Sequence, residues 1–281
     1  MTHGLQANRP AKSQHAFVTL VTNADYALGA KALLRSIRHT GTDADCVVLH
    51  TGGVPRAELE PLLAPFDARL VRVDLLPTSD AFNEAHARDR IHGIAPFTKG
   101  EKPTFHTPLD NFTKLRLWQL TEYESVVFID ADALMLKNCE RLFEYPEFSS
   151  APNVYESLAD FHRLNSGVFT ARPNVMTFES MLVELDTPGA FWRRTDQTFL
   201  QHYFPDWHGL PVFDNMLQYV WFNMPELWNW PSIHILHYQY EKPWQDSHPK
   251  AEQLAPLIAL WEAFAGDGPI PDISSLPGPQ P

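Results

Sequence analysis

The sequence predicts a single α/β domain, with a mainly parallel central sheet covered by helices on both faces. Three observations carry this. Short apolar runs alternate with longer amphipathic ones from residue 15 onward. Those short runs are almost continuously apolar, which marks strands buried on both sides. A chain of 281 residues, 44% of them hydrophobic, can bury one sizeable core.

Each element has its own signal. Residues 1–14 read as a flexible leader, and "MTHGLQANRPAKSQ" has no apolar signal core. "HAFVTLV" (15–21) is a strand. "NADYALGAKALLRSIRHTG" is a helix, with Tyr26, Ala30, Leu33, Leu34 and Ile37 on one face and Gly41 as its stop. "DCVVLHT" (45–51) and "ARLVRVD" (68–74) are strands, separated by a short helix at 55–66 that opens on a proline. "FTKLRLWQLTEYE" (112–124) is a helix that runs straight into the strand "SVVFID". A helix at 138–144, a strand at 164–172, a helix at 173–186 and a helix from 195 follow. Val175, Phe178, Leu182 and Leu185 share one face of the 173–186 helix. Thr195 or Asp196 can cap the helix after it. The domain ends near 265, and the Pro/Gly/Ser-rich stretch 266–281 reads as disordered.

Residues 77–110 break the rhythm. They hold Pro77, Pro96, Pro103 and Pro108, the histidines His86, His92 and His106, and a Lys-Gly-Glu-Lys turn. Long connections of this kind form lids or binding loops, so 77–110 is expected on the acceptor side of a site. The aromatic-rich stretch 205–230 is expected there too, since flat rings suit sugar faces.

Composition excludes several classes. The net charge is −12 and there is no Lys/Arg run, so no nucleic-acid partner is expected. No apolar run approaches the length of a membrane span, so a cytoplasmic protein is expected. Cys46 and Cys139 are too few for a disulfide framework or a thiolate metal site.

The chemistry concentrates at "SVVFIDADALML" (125–136), where Asp130 and Asp132 close an apolar strand. Ligands of open α/β sheets bind at that carboxyl edge. On an extended segment the two side chains point the same way. They can share a divalent cation that bridges to a nucleotide diphosphate. The same string can instead hold an aspartyl nucleophile, as in Asp-x-Asp phosphatases, or be two solvated acids. The phosphatase pattern puts its motif near the chain start and follows it with a lysine and an acidic pair. Here the motif is central and no such pair follows. Three further pieces bear on the choice. "ILHYQYEKPW" (235–244) supplies His237, a possible metal ligand, and Lys242, a phosphate partner. "LNSGVF" supplies Asn165 and Ser166, followed by Gly167, which permits close backbone approach. "TDQ" supplies Asp196 and Gln197, able to bind sugar hydroxyls.

Taken in order, these pieces resemble glycosyltransferase family 8, the glycogenin and galactinol synthase group. "AFVTLVTNADYALGAKALLRSI" is similar to the family's nucleotide-binding opening, and 112–144 to its central metal block. The resemblance spans most of 16–244. It implies a Rossmann-like nucleotide-sugar-binding domain of the GT-A type. It also implies a divalent metal (Mn2+ or Mg2+), a UDP-sugar donor, a hydroxyl acceptor, a homodimer as one possible assembly, and transfer of a hexose with retention. By position, Leu20, Thr22, Asn23 and Tyr26 would line the uridine pocket. Lys114 would approach phosphates or sugar, Ala131 would lie by the ribose, and Asn165, Ser166, Asp196 and Gln197 would hold the donor sugar. Asp130, Asp132 and His237 would bind the metal, with Lys242 on the diphosphate. Asp196, Gln197 and Lys242 are the catalytic candidates. A degenerate donor-binding module without turnover is the alternative. Two departures stand out. Many members have glycine where this chain has Tyr240, and the self-glucosylated tyrosine of glycogenins falls on Phe222.

Overall fold

The computed structural model describes residues 5–85, 111–187, 189–190 and 195–279. The stretch 86–110, most of the expected acceptor loop, lies outside them.

Among the described residues, eleven strands fall into two sheets. The larger sheet contains β1 (Gln6–Ala7), β2 (His15–Val21), β3 (Asp45–His50), β4 (Ala68–Arg72), β5 (Ser125–Ile129), β7 (Ser149–Pro152), β8 (Leu164–Ala171) and β9 (His208–Gly209), in the order β1-β4-β3-β2-β5-β8-β7-β9. Strands β4, β3, β2 and β5 run parallel, joined by α1 (Ala24–His39) and α2 (Arg56–Leu63). β8 is antiparallel to both β5 and β7. The smaller sheet holds β6 (Ala133–Met135), β10 (Met216–Leu217) and β11 (Ile235–His237), in the order β10-β11-β6. Further helices are α3 (Asp80–Ala85), α4 (Val175–Leu185), α5 (Asp196–Tyr203), α6 (Val220–Asn223) and α7 (Ala255–Ala265). Among the described residues, no helix is long and apolar enough to cross a membrane.

The continuous apolar strands work as expected. Phe17, Cys46, Val48, Val127 and Ile129 pack on one face, against α1 and α2. Their neighbours Val18, Val47, Leu49, Val126 and Phe128 pack on the other, against α4 and α5. Successive side chains of a strand take opposite faces, so each strand must be apolar throughout. The aromatic-rich stretch builds a third cluster: Trp221, Trp228, Trp230 and Trp261 pack around the small sheet. Of these rings, Trp221, Trp228 and Trp230 meet at centroid separations of 5.0 to 6.1 Å. They are core, not cleft.

Several expectations need correction. The 112–124 helix is a shorter 3-10 turn, Thr113–Gln119, whose residues Thr113 to Trp118 are all buried. It has no solvent face and no capping side chain, so surrounding packing rather than helical periodicity sets its shape. The 138–144 helix is likewise 3-10, Glu140–Glu144. The leader is tied down beyond residue 5: Gln6–Ala7 pair antiparallel with β4, and the Lys12 N–H donates to Asp45 Oδ2 at 2.8 Å. The tail is also packed. Ile270, Ile273 and Leu276 lie on the third cluster, and Trp230 Nε1 donates to the Pro277 carbonyl at 2.9 Å. Three apolar residues at a spacing of three were enough to anchor a stretch whose composition reads as disordered.

Candidate active site

The chain leaves the large sheet at Ile129 and enters the small one at Ala133, and Asp130-Ala131-Asp132 is the turn between them. The backbone there is not extended, which corrects the expected reason for the two carboxylates converging. The turn is closed by the Ala133 N–H donating to the Asp130 carbonyl at 3.1 Å. It is fixed on both sides, by Asp130 N–H to the Gly167 carbonyl and Tyr238 N–H to the Asp132 carbonyl, each at 2.8 Å. Helix α1 presses on it, because at Gly29 an added Cβ would sit 2.5 Å from the Ala131 carbonyl oxygen.

Strand β11 brings His237 opposite this turn, in register with Ala133. Asp130, Asp132 and His237 each offer one ligand atom, and these atoms lie within 4.8 Å of one another. His237 Nε2 stands 3.3 Å from Asp132 Oδ1. Its Nδ1 meets Asn215 Oδ1 at 2.9 Å, and Asn215 Nδ2 donates to Asn165 Oδ1 at 2.9 Å. Since that amide nitrogen is the donor toward Asn165, its oxygen accepts from Nδ1–H. The tautomer so assigned leaves the Nε2 lone pair toward the carboxylates. Two carboxylate oxygens and one imidazole nitrogen suit a borderline-hard divalent ion. Asn215 was missed by sequence reasoning. It sits in an irregular stretch where no periodicity marks which side chain turns inward.

Two buried lysines complete the cluster. Lys242 Nζ contacts Asp132 Oδ2 and donates to the Tyr238 carbonyl at 2.9 Å. Lys114 Nζ lies 3.2 Å from Asp130 Oδ1 and 2.8 Å from Asp196 Oδ2, and reaches the Ser166 carbonyl at 3.3 Å. Thr195, not Asp196, caps α5 through its capping box with Thr198. The Asp196 side chain is thereby released, and it accepts from Ser166 Oγ at 2.6 Å. The Ser166 N–H approaches Gln197 Oε1 at 3.4 Å. Asp130, Asp132 and Asp196 thus face two ammonium groups, leaving negative charge for a cation. Burial would raise the Asp132 carboxyl, but the charge of Lys242 outweighs it and holds the group well below the usual carboxylate range. Burial wins at Asp130, which is raised in spite of Lys114. Burial would lower Lys114, but Asp130 and Asp196 keep it firmly charged.

The expected nucleotide pocket is at the same edge. Asn23 caps α1, accepting from the Tyr26 N–H at 3.2 Å. Tyr26 is buried, edge-on to Trp244 at 5.4 Å and with Lys242 Nζ 5.9 Å from its ring centroid. Ala131 is buried, and Leu20 and Thr22 are half-buried at the end of β2 and in the turn after it. Phe222 packs against Tyr219, their ring centroids 4.9 Å apart and the rings tilted by 50°.

A mainly parallel sheet with an Asp-x-Asp turn at its carboxyl edge defines a nucleotide-sugar transferase fold of the GT-A type. Solved structures agree on the fold. The galactosyltransferase LgtC matches with a TM-score of 0.62 at 14% identity, over 92% of this chain and 98% of that one. The glycosyltransferase GlyE of Streptococcus pneumoniae matches at 0.61 and 15%, over 92% of this chain and 62% of that one. Among curated proteins, UDP-glucuronate:xylan alpha-glucuronosyltransferase 1 of Arabidopsis thaliana is 30% identical over 247 residues, 82% of this chain and 32% of that protein. Glycogenin-1 of Oryctolagus cuniculus is 33% identical over 226 residues, 80% of this chain and 59% of that protein. These relatives bear out the resemblance to glycosyltransferase family 8. It spans little more than a third of the length of the xylan glucuronosyltransferases it matches. No family model matches it.

Proposed function

We propose that this chain transfers a hexose or related sugar from a UDP-sugar to an acceptor hydroxyl, with retention of configuration. The observation that carries the reading is the trio of Asp130, Asp132 and His237 at the edge of β5, flanked by Lys242 and Lys114. The trio would hold a divalent cation, for which manganese suits the mixed oxygen and nitrogen donors. When bound, such an ion supplies Lewis-acid charge at the leaving diphosphate, worth several kcal/mol.

The protein's own groups do the rest. Lys242 adds a second positive charge to the diphosphate. Tyr26, Asn23, Thr22 and Leu20 form the uridine side, and Ala131 lies by the ribose. Asn165, Ser166 and Gln197 hold the donor sugar. Lys114 and Ser166 both contact Oδ2 of Asp196, which would leave the other oxygen, Oδ1, for the donor sugar. That oxygen can stabilise positive charge at the anomeric carbon while UDP leaves and the acceptor hydroxyl attacks from the same face, or attack it with loss of UDP and then be displaced by the acceptor hydroxyl. In both courses the departing phosphate oxygen can take the acceptor's proton. Either course returns the original configuration. We also propose a cytoplasmic setting, which the two free, buried cysteines support. Cell fractionation with an antibody to the protein tests that point.

The functional test is UDP release from UDP-glucose, UDP-galactose, UDP-xylose and UDP-glucuronate, with and without manganese and without acceptor, beside calorimetry of UDP with manganese. Metal-dependent release of one donor supports the reading and names the sugar. Absence of both release and UDP binding sinks it.

A further inference from the structure

Tyr240 is a left-handed residue, with φ at +67°. A bulky side chain rarely adopts that conformation unless its surroundings impose it, and such outliers gather at working sites. Tyr240 lies three residues after His237 and two before Lys242. One side chain grips the backbone on both sides of it. Gln218, fully buried, donates through Nε2 to the two carbonyls that flank Tyr240, that of Gln239 at 2.5 Å and that of Glu241 at 3.0 Å. Its backbone N–H also reaches the His237 carbonyl at 2.9 Å and Gln239 Oε1 at 2.8 Å. Gln218 follows directly on β10, which pairs Leu217 with His237. The same residue therefore ties the metal histidine and the turn after it to one point of the small sheet. Among the described residues Gln218 Oε1 has no hydrogen-bond partner, so its hold on the turn comes from the amide donors alone.

The turn has a second brace. Glu241 accepts from Tyr219, and Lys250 Nζ donates to both Glu241 Oε1 and the Tyr219 hydroxyl at 2.6 Å. Tyr240 packs on Tyr219 at 5.1 Å and on Tyr155 at 5.6 Å. This brace grips side chains. Gln218 grips the backbone on both sides of the strained residue.

We propose that Gln218 is a positioning residue for the donor diphosphate: it clamps the left-handed turn at Tyr240 so that Lys242 arrives at Asp132 and at the phosphates. The inference rests on the donor reading given above. It makes a specific claim, that the clamp is needed because residue 240 is not glycine. Glycine adopts a positive φ without a Cβ clash, so Tyr240→Gly removes the need for the clamp.

The experiment is calorimetry of UDP and of uridine, each with manganese chloride, on wild type, Gln218→Leu, and the double variant Gln218→Leu/Tyr240→Gly. Gln218→Leu is expected to weaken UDP about tenfold, the usual cost of losing a group that orients a ligand-binding residue. Uridine, which lacks the phosphates, should shift less than about twofold, and the double variant should regain most of the UDP affinity. Equal losses for UDP and uridine, or no recovery on adding Tyr240→Gly, would mean that Gln218 only fills the core, and would overturn the proposal. Should Gln218→Leu fail to fold, Gln218→Asn, whose shorter amide cannot span both carbonyls, takes its place in the same titrations. Absence of UDP binding by wild type would overturn the donor reading and this inference with it. Wild-type binding with an unaffected Gln218 variant would overturn this inference alone.

Discussion

A Cβ on Gly167 would lie 2.3 Å from Cε1 of His237 and 2.5 Å from its Nδ1. The two residues are 70 positions apart, yet the imidazole occupies the space that any larger side chain would need. Gly167→Ala must push His237 away from Asp132 and Asn215. Manganese affinity, read by calorimetry without nucleotide, is expected to fall at least tenfold, within the range for disturbing a ligand's support. Unchanged affinity would remove His237 from the metal set.

Asp132 carries two predictions at once. Asp132→Asn removes a cation ligand, and metal-dependent UDP release should drop about 100-fold or more, since several kcal/mol of charge stabilisation is at stake. It also strands the buried ammonium of Lys242, which costs stability on the order of 3–5 kcal/mol. Adding Lys242→Met should restore much of the melting temperature and none of the activity. If the double variant melts no higher than the single one, the ion pair does not hold this site together.

Gly29→Ala is expected to destabilise the protein, against helix propensity. In a helix interior alanine gains roughly 1 kcal/mol over glycine. Here the new methyl would meet the Ala131 carbonyl oxygen at 2.5 Å and the Trp244 ring at 2.9 Å. Overpacking of that kind costs about 1–3 kcal/mol. Urea unfolding should show a lower midpoint with an unchanged slope. A raised midpoint would show that α1 does not press on the Asp-Ala-Asp turn.

Glu241 gives a pH dependence. Burial would raise its carboxyl, but hydrogen bonds from Lys250 and Tyr219 outweigh that and lower it from 4.5. A lowered carboxyl contributes stability that is fully present above its unfolded value and lost as pH falls toward the folded value. Glu241→Gln should therefore melt below wild type at pH 7, with the gap narrowing as pH drops below about 4.5. A gap that stays constant down to pH 3 would exclude the carboxylate as its source.

The cysteines should be inert in the folded protein. Burial pushes both the Cys46 and Cys139 thiols up to about 12. Iodoacetamide at pH 8 should leave both unmodified in the native state and alkylate both in guanidinium chloride, as read by mass spectrometry. Rapid native modification of Cys46 would contradict its place inside the first core cluster.

The fold was legible wherever burial imposes a pattern. Strands β2, β3 and β8 and helix α1 fall within a residue or two of their apolar runs, because a strand covered on both faces has little choice of residue. The convergence of Asp130, Asp132 and His237 was legible too, since they are polar groups at or just beyond the ends of buried strands. Asn215, Gln218 and Gly29 were not legible. Each acts on a site residue far away in the chain, and nothing local distinguishes a glutamine that grips two carbonyls from one facing water. The 3-10 segment at Thr113–Gln119 was mistaken for a helix because Thr113, Lys114 and Arg116 are buried along with their apolar neighbours, so the polar and apolar positions give no phase to read.

The handover of the chain from one sheet to the other at Asp130-Ala131-Asp132 has a mechanical side. Asp130 is fastened to the large sheet through Gly167, and Asp132 to the small sheet through Tyr238. An ion shared by the two carboxylates and His237 would act as a rivet through both layers. Removing it would leave them joined there by the backbone turn and by the Asn215 amide, which links His237 to Asn165 of β8. Sliding of one layer against the other would then be governed by occupancy of the rivet. The place where the bond is broken would also be the place where the protein is locked.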